Sequence, residues 1–230
     1  MKYATVIFDL FGTLVRSPSN QGYLVGLKRM ASILSVRHDE FSRWWFDTGV
    51  KRSTGVFPTI EANIKYICDK IGVPAGGAEI RLAAKDRFDN SVRTMEPRPD
   101  AIEVLTHLKS QGFKVGLISN CSPDAPVIWR DTPLAPFFDV TVFSSAAGVR
   151  KPDPRIYRLA VEQLGVQPEG CLYVGDGASQ ELAGAARIGM SPLMIQVFGE
   201  EFESPLPDDA RGEWDGPMVL SLTEVLALVE

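Results

Sequence analysis

At 230 residues the chain is longer than an average domain and shorter than two large ones, so one core with a substantial insertion is expected. Its 45% hydrophobic and 23% charged residues suffice for a sizeable core, and no polar tract points to disorder. A formal net charge of −5 with scattered Lys and Arg offers no basic field, which argues against a nucleic-acid partner; no apolar run reaches bilayer length, so no membrane span is expected either.

The chain enters a β-branched apolar run at residues 3–8 that stops at Asp9 and turns at Gly12, which reads as a buried strand. No charged leader with a small-residue cleavage site precedes it, so a cytoplasmic setting is expected. Residues 16–94 then switch to helical spacing, with Leu24, Leu27, Ala31 and Leu34 in one group and Ile60, Ile64, Ile67 and Ile71 before Gly72 in another. Prolines at Ser17-Pro18 and Glu96-Pro97-Arg98-Pro99 stiffen both connections, as a cap moving over a core requires. The expected division is therefore a core of residues 1–15 and 95–230 and a helical cap of residues 16–94.

Beyond the insertion, Ala101, Val104, Leu105 and Leu108 form an apolar helix face ending at Gly112, and strands follow at 115–118 and 140–143. A second crossover helix, carrying Ile156, Leu159, Ala160 and Leu164, ends at Gly165, ahead of strands at 171–174 and 193–197. The acidic, Gly- and Pro-rich stretch 199–217 reads as a surface loop, and Ser221 with Glu224 has capping-box spacing before a last helix. Alternating strands and helices predict an α/β, doubly wound parallel sheet with helices on both faces. Cys68, Cys121 and Cys171 are odd in number and far apart, which suits reduced buried thiols better than a disulfide framework or a zinc site.

Asp9, Ser119, Lys151 and the Gly175-Asp176 pair each fall at or just after a predicted strand end, where the ligand crevice of an open α/β sheet lies. The segments around them, Phe8-Asp9-Leu10-Phe11-Gly12-Thr13-Leu14, Ile118-Ser119-Asn120, Lys151-Pro152-Asp153-Pro154 and Val174-Gly175-Asp176 with Glu181, resemble the four ordered motifs of the haloacid dehalogenase-like hydrolase superfamily. The insertion resembles that superfamily's helical cap. The resemblance implies a Rossmann-like core and a hydrolase acting on a small molecule, with Asp9 as nucleophile and Ser119 and Lys151 as catalytic partners. Asn120, Gly12 and Thr13 are the substrate-binding candidates.

The residue types suit that chemistry. The Asp9 carboxylate can attack phosphorus or carbon and divide one displacement into two easier ones. Ser119 and the amides after it can donate to phosphoryl oxygens, and Lys151 can neutralise both the nucleophile and the transferring group. Asp9, Asp176 and Glu181 would crowd three carboxylates around one lysine, which is costly unless a cation binds. Mg²⁺ fits, with Asp9, the Phe11 carbonyl and Asp176 as protein ligands and Glu181 behind them, holding Lys151 or reaching the metal through water.

Phe11 departs most from the pattern, because phosphatases of the superfamily usually carry a second Asp there to protonate the leaving group. Its backbone carbonyl can still bind metal, so acid catalysis is lost while the cation site stays. Glu181 stands where Asp is usual, and Gly177 where a small hydroxyl residue is common. The dehalogenase branch has an aromatic residue at the position of Phe11, and Trp44, Trp45 and Arg37, with Asn120, would then line a halide pocket. Retention of Gly175-Asp176 and Glu181 favours a metal and phosphate chemistry over that alternative. A binding or regulatory protein that kept the fold and lost turnover is a third reading.

Overall fold

The computed structural model describes residues 3–197, 200 and 210–229. Six strands, β1 (Thr5–Phe8), β2 (Lys114–Ser119), β3 (Val140–Phe143), β4 (Cys171–Gly175), β5 (Ser191–Ile195) and β6 (Met218–Val219), pair in parallel in the order β3-β2-β1-β4-β5-β6. After β1 the chain builds outward to β2 and β3, then returns across β1 to lay down β4 on its other side. The strand order therefore reverses between β1 and β4, where open α/β sheets hold their ligands.

Both faces of the sheet are covered, because alternate residues of a strand point to opposite sides. Val6 and Phe8 face a cluster with α6 (Ala101–Ser110) and α11 (Thr223–Val229), whereas Ile7 faces α9 (Pro154–Leu164) and α10 (Glu181–Arg187). All three are fully buried, and each such side chain contributes about 1.5–3 kcal/mol, so the central strand is strongly fixed. The expected α/β doubly wound architecture is the one observed. β6 was not expected because two residues carry no readable period. β5 begins earlier than its apolar run suggests and includes Pro192, which lies before the pairing with β6 begins, where β5 is still an edge that tolerates proline.

Between β1 and β2 lie α1 (Asn20–Ile33), α2 (His38–Asp47), α3 (Gly49–Ser53), α4 (Ile60–Ile71) and α5 (Gly77–Thr94), with a hydrophobic cluster of their own. Ser19 caps α1 by accepting from the Gly22 amide at 3.1 Å, and Thr59 caps α4 from the Ala62 amide at 3.2 Å. The buried face of α1 includes Tyr23, Leu27, Met30 and Ala31, not Leu24, which is 44% exposed. These helices pack toward the carboxyl ends of the strands: α5 meets α7 (Ala125–Trp129), which follows β2, and α3 meets α8 (Ser144–Ala147), which follows β3. Ser91 of α5 donates to Asp124 at 2.6 Å, joining the two parts. The connections to the helices are themselves joined, since Val15 bridges Pro97 and the Arg98 amide donates to the Leu14 carbonyl at 2.9 Å.

The capping box at the C-terminal helix is half formed. Ser221 Oγ accepts from the Glu224 amide at 3.4 Å, but the Glu224 carboxylate takes the Leu220 amide at 2.9 Å, and Asp100 caps the helix by accepting from the Leu222 amide at 3.0 Å. Of the surface loop expected at 199–217, residues 199 and 201–209 lie outside the described residues, and 210–217 have no regular structure. The three cysteines are buried and free. Burial pushes the Cys121 thiol up to about 12, which suits a packed thiol. Among the described residues no helix is long and apolar enough to cross a membrane.

Candidate active site

The Asp9 amide donates to the Val174 carbonyl at 2.9 Å, extending the β1–β4 pairing by one residue and placing the Asp9 side chain at the reversal point. The chain then turns tightly, with the Leu14 and Val15 amides both donating to the Leu10 carbonyl at 2.9 and 3.0 Å. Gly12 sits in this turn at φ 83°, and a Cβ there would lie 2.1 Å from Asp176 Oδ2. Only glycine lets the loop after β1 press against the residue that follows β4. Gly175 serves Glu181 likewise, since a Cβ there would meet Glu181 Oε1 at 2.2 Å.

Lys151 reaches the same point from the loop after α8. Asn120 holds its backbone from both sides, accepting from the Lys151 amide at 2.8 Å and donating to the Lys151 carbonyl at 3.2 Å. The Lys151 ammonium donates to Asp9 Oδ1 and Glu181 Oε2, both at 2.5 Å, and to the Ile118 carbonyl at 3.1 Å. Glu181 is engaged throughout: Oε2 also accepts from the Tyr173 hydroxyl at 2.7 Å, and Oε1 from the Gly177 amide at 3.0 Å. Asp176 Oδ1 accepts from the Ala178 amide at 2.9 Å.

This concentration of charge perturbs its members. Burial, opposed by Lys151 and reinforced by Glu181, pushes the Asp9 carboxyl from 3.8 to about 7. Burial, then the repulsion of Glu181 and Asp9, holds Asp176 well above the usual carboxylate range. Burial would lower Lys151, but attraction to Asp9 and Glu181 outweighs it and holds the ammonium above its ordinary value. Oxygens of Asp9, Asp176 and Glu181 all lie within 4.8 Å of one another. Asp9 Oδ2 is buried with no hydrogen-bond partner, and the available atoms are hard oxygens, so the cluster fits a hard divalent cation. With Glu181 taken up by three donors, Asp9 and Asp176 are the carboxylates free to hold it.

The structure therefore brings Asp9, Lys151, Asp176 and Glu181 together. Ser119 ends β2, and its hydroxyl is buried without a partner, as is that of Thr13. The Gly12 amide is used within the turn, donating to the Val15 carbonyl at 2.8 Å, and the Thr13 amide donates to the Leu10 carbonyl at 3.3 Å. The Asn120 side-chain amide makes one bond in each direction with the Lys151 backbone. The Phe11 side chain packs against the main core cluster. Of the residues expected at a halide pocket, Trp45 is buried in the helical cluster and donates to the Tyr23 hydroxyl at 2.8 Å, Trp44 packs against the same cluster with its indole N–H buried and unpartnered, and Arg37 is exposed and paired with Asp39.

Two contributors were not read from the sequence. Tyr173 looks like one more core residue of an apolar strand, although a buried tyrosine hydroxyl needs a partner and so hints at a polar neighbour. Arg98 sits between two linker prolines, and nothing in that pattern shows that its guanidinium turns inward, donating to the Thr13 carbonyl at 2.8 Å.

A family model described as haloacid dehalogenase-like hydrolase matches residues 3–189. The glyceraldehyde 3-phosphate phosphatase of Methanopyrus kandleri is 35% identical over 143 residues, covering 61% of this chain and 60% of that protein. The (S)-2-haloacid dehalogenase of Pseudomonas sp. (strain YL) is 26% identical over 232 residues, covering 98% and 94%. For the first curated relatives, the matched stretch spans between 41% and 60% of their length. A phosphatase from Thermococcus onnurineus, described as a HAD phosphatase, superposes over 100% of this chain and 98% of its own with a TM-score of 0.66 at 20% identity, which speaks to the fold.

Proposed function

The chain belongs to the haloacid dehalogenase-like hydrolases, and from that premise we propose that it is a Mg²⁺-dependent phosphatase of a small phosphorylated metabolite, with Asp9 as covalent nucleophile. The observation that carries this reading is the buried cluster of Asp9, Asp176 and Glu181 around Lys151, with Asp9 Oδ2 unpartnered. Asp9, Asp176 and the Phe11 carbonyl would hold the metal, whose charge offsets the carboxylates and lets a phosphoryl group approach.

In this reading Asp9 forms a bond to phosphorus as the bond to the leaving oxygen breaks. Water then attacks the aspartyl phosphate, releasing phosphate and restoring the carboxylate. Lys151, fixed by Asn120 and Glu181, keeps Asp9 oriented and offsets charge on the transferring group. The buried hydroxyl of Ser119 is available to donate to a phosphoryl oxygen. Helices of residues 16–94 act as a cap that excludes water from the strand ends. Phe11 supplies no proton, so substrates with acidic leaving groups are favoured. A cytoplasmic setting and a freely diffusing substrate belong to this reading.

Phe11 also supports a second reading, halide displacement from a 2-haloacid by the same Asp9. Against it stand the carboxylate cluster and the outward-facing Arg37. Parallel assays of phosphate release from p-nitrophenyl phosphate and chloride release from 2-chloropropionate, with Mg²⁺ or with chelator, separate the two. Phosphate release that requires Mg²⁺ is expected, and chloride release indifferent to chelator would reverse the order.

A further inference from the structure

Arg98 lies four residues beyond the last residue of α5, in the connection that returns to the core, yet it is only 5% exposed. Its Nε donates to the Thr13 carbonyl at 2.8 Å, and one terminal nitrogen donates to the Gly12 carbonyl at 3.1 Å. Glu200 takes both terminal nitrogens at 2.9 and 2.8 Å, a two-pronged pairing that fixes the plane of the guanidinium. The Arg98 amide adds a bond to the Leu14 carbonyl, so this one residue holds three successive carbonyls of the loop after Asp9.

Those carbonyls belong to the peptide units that follow Phe11, and Gly12 is the residue pressed against Asp176 Oδ2. A loop loosened here would move away from Asp176 and let the Phe11 carbonyl rotate. We infer that Arg98 is a positioning residue that sets the geometry of the cation site by clamping residues 12–14, with Glu200 as its anchor. This inference rests on the reading of Asp9, Asp176 and the Phe11 carbonyl as metal ligands. It also ties the return linker of the helices to the metal loop. Lysine cannot replace Arg98, because a point ammonium cannot bond two carbonyls and a bidentate carboxylate in one plane.

The test compares the 230-residue protein with its Arg98→Lys and Glu200→Gln variants. It measures Mg²⁺ affinity by titration calorimetry, activation of p-nitrophenyl phosphate hydrolysis by Mg²⁺, and hydrogen exchange of the Leu14 and Val15 amides. Arg98→Lys is expected to weaken Mg²⁺ binding by about 10–100-fold, the usual effect of losing a group that orients metal ligands. Glu200→Gln should shift it in the same direction by less. Both should exchange the loop amides faster, and kcat at saturating Mg²⁺ should recover most of its wild-type value. A merely structural role would lower thermal stability without moving the Mg²⁺ dependence. The inference is overturned if folded Arg98→Lys, or Glu200→Gln should Arg98→Lys not fold, binds Mg²⁺ as tightly as wild type. Wild-type protein that binds no Mg²⁺ would instead overturn the underlying metal reading, and this inference with it.

Discussion

Lys151 Nζ stands 2.5 Å from Asp9 Oδ1, a contact between side chains 142 residues apart that are both almost completely buried. The same ammonium is also 2.5 Å from Glu181 Oε2, so one lysine serves two carboxylates, while Asp176 lies beside them within the electrostatic reach of Arg211.

Removing that cation should therefore destabilise more than a surface pair would. Lys151→Met leaves buried carboxylates without their partner, and loss of one member of a buried pair costs about 3–5 kcal/mol. Urea denaturation in chelator should show that loss, and Mg²⁺ should restore part of it. An unchanged midpoint would mean that the carboxylates are neutral in the fold.

The carboxylates also give stability a pH dependence whose sign is fixed. Asp9 rises from 3.8 to about 7 on folding, chiefly through burial, and Asp176 rises with it. The folded chain therefore keeps protons that the unfolded chain has released, so metal-free stability falls as pH increases from roughly 4 to 7. Lys151, raised above its ordinary value, is charged in both states across this window and adds no slope. Acids held low, such as Asp124 with Arg87, Ser122 and Ser91 around it, act only below it. Thermal melts in chelator should show the decline, and Mg²⁺ should stabilise more at pH 8 than at pH 5. A flat metal-free profile would contradict the assignment.

Asp176→Asn removes one of the two carboxylates free to hold the cation while keeping the oxygen that accepts from the Ala178 amide. Half-activation by Mg²⁺ should move to concentrations about 10–100-fold higher, with turnover falling alongside. Measuring initial rates across a Mg²⁺ series decides it, and a superimposable activation curve would remove Asp176 from the ligand set.

Phe11 predicts selectivity for the leaving group. Without an internal acid the rate should fall steeply as the leaving-group pKa rises, by up to the roughly 10²–10⁴-fold that general acid catalysis contributes. Phe11→Asp should flatten that dependence across a series of aryl and alkyl phosphates. If the natural protein already gives a flat series, another group supplies the proton.

Much of this was legible because strand ends and buried polarity leave local marks. The run before Asp9, the alternation that puts Ile7 and Phe8 on opposite faces, and the glycine after Phe11 all follow from short-range rules. What escaped notice depends on distant partners. Tyr173 reads as core until Glu181, eight residues on, is folded against its hydroxyl, and Arg98 reads as linker until Glu200 pairs with it across 102 residues. That the Asn120 side chain also grips the Lys151 backbone depends on a partner 31 residues away, which its place after Ser119 does not show. Leu24 shared the helical spacing of its neighbours but lies outside the arc of α1 that the other helices cover.

The most direct measurement is to trap the covalent enzyme. Wild-type protein is mixed with Mg²⁺ and an aryl or acyl phosphate, quenched in acid within a turnover, and mapped by peptide mass spectrometry. A phosphoryl adduct on the peptide containing Asp9, absent from a folded Asp9→Asn variant that also lacks turnover, is the predicted result. An Asp9 peptide that stays unmodified with phosphates but carries a carboxyalkyl adduct after exposure to 2-chloropropionate without Mg²⁺ would contradict the phosphatase assignment while keeping Asp9 as nucleophile. Full phosphate turnover by Asp9→Asn would contradict the nucleophile itself.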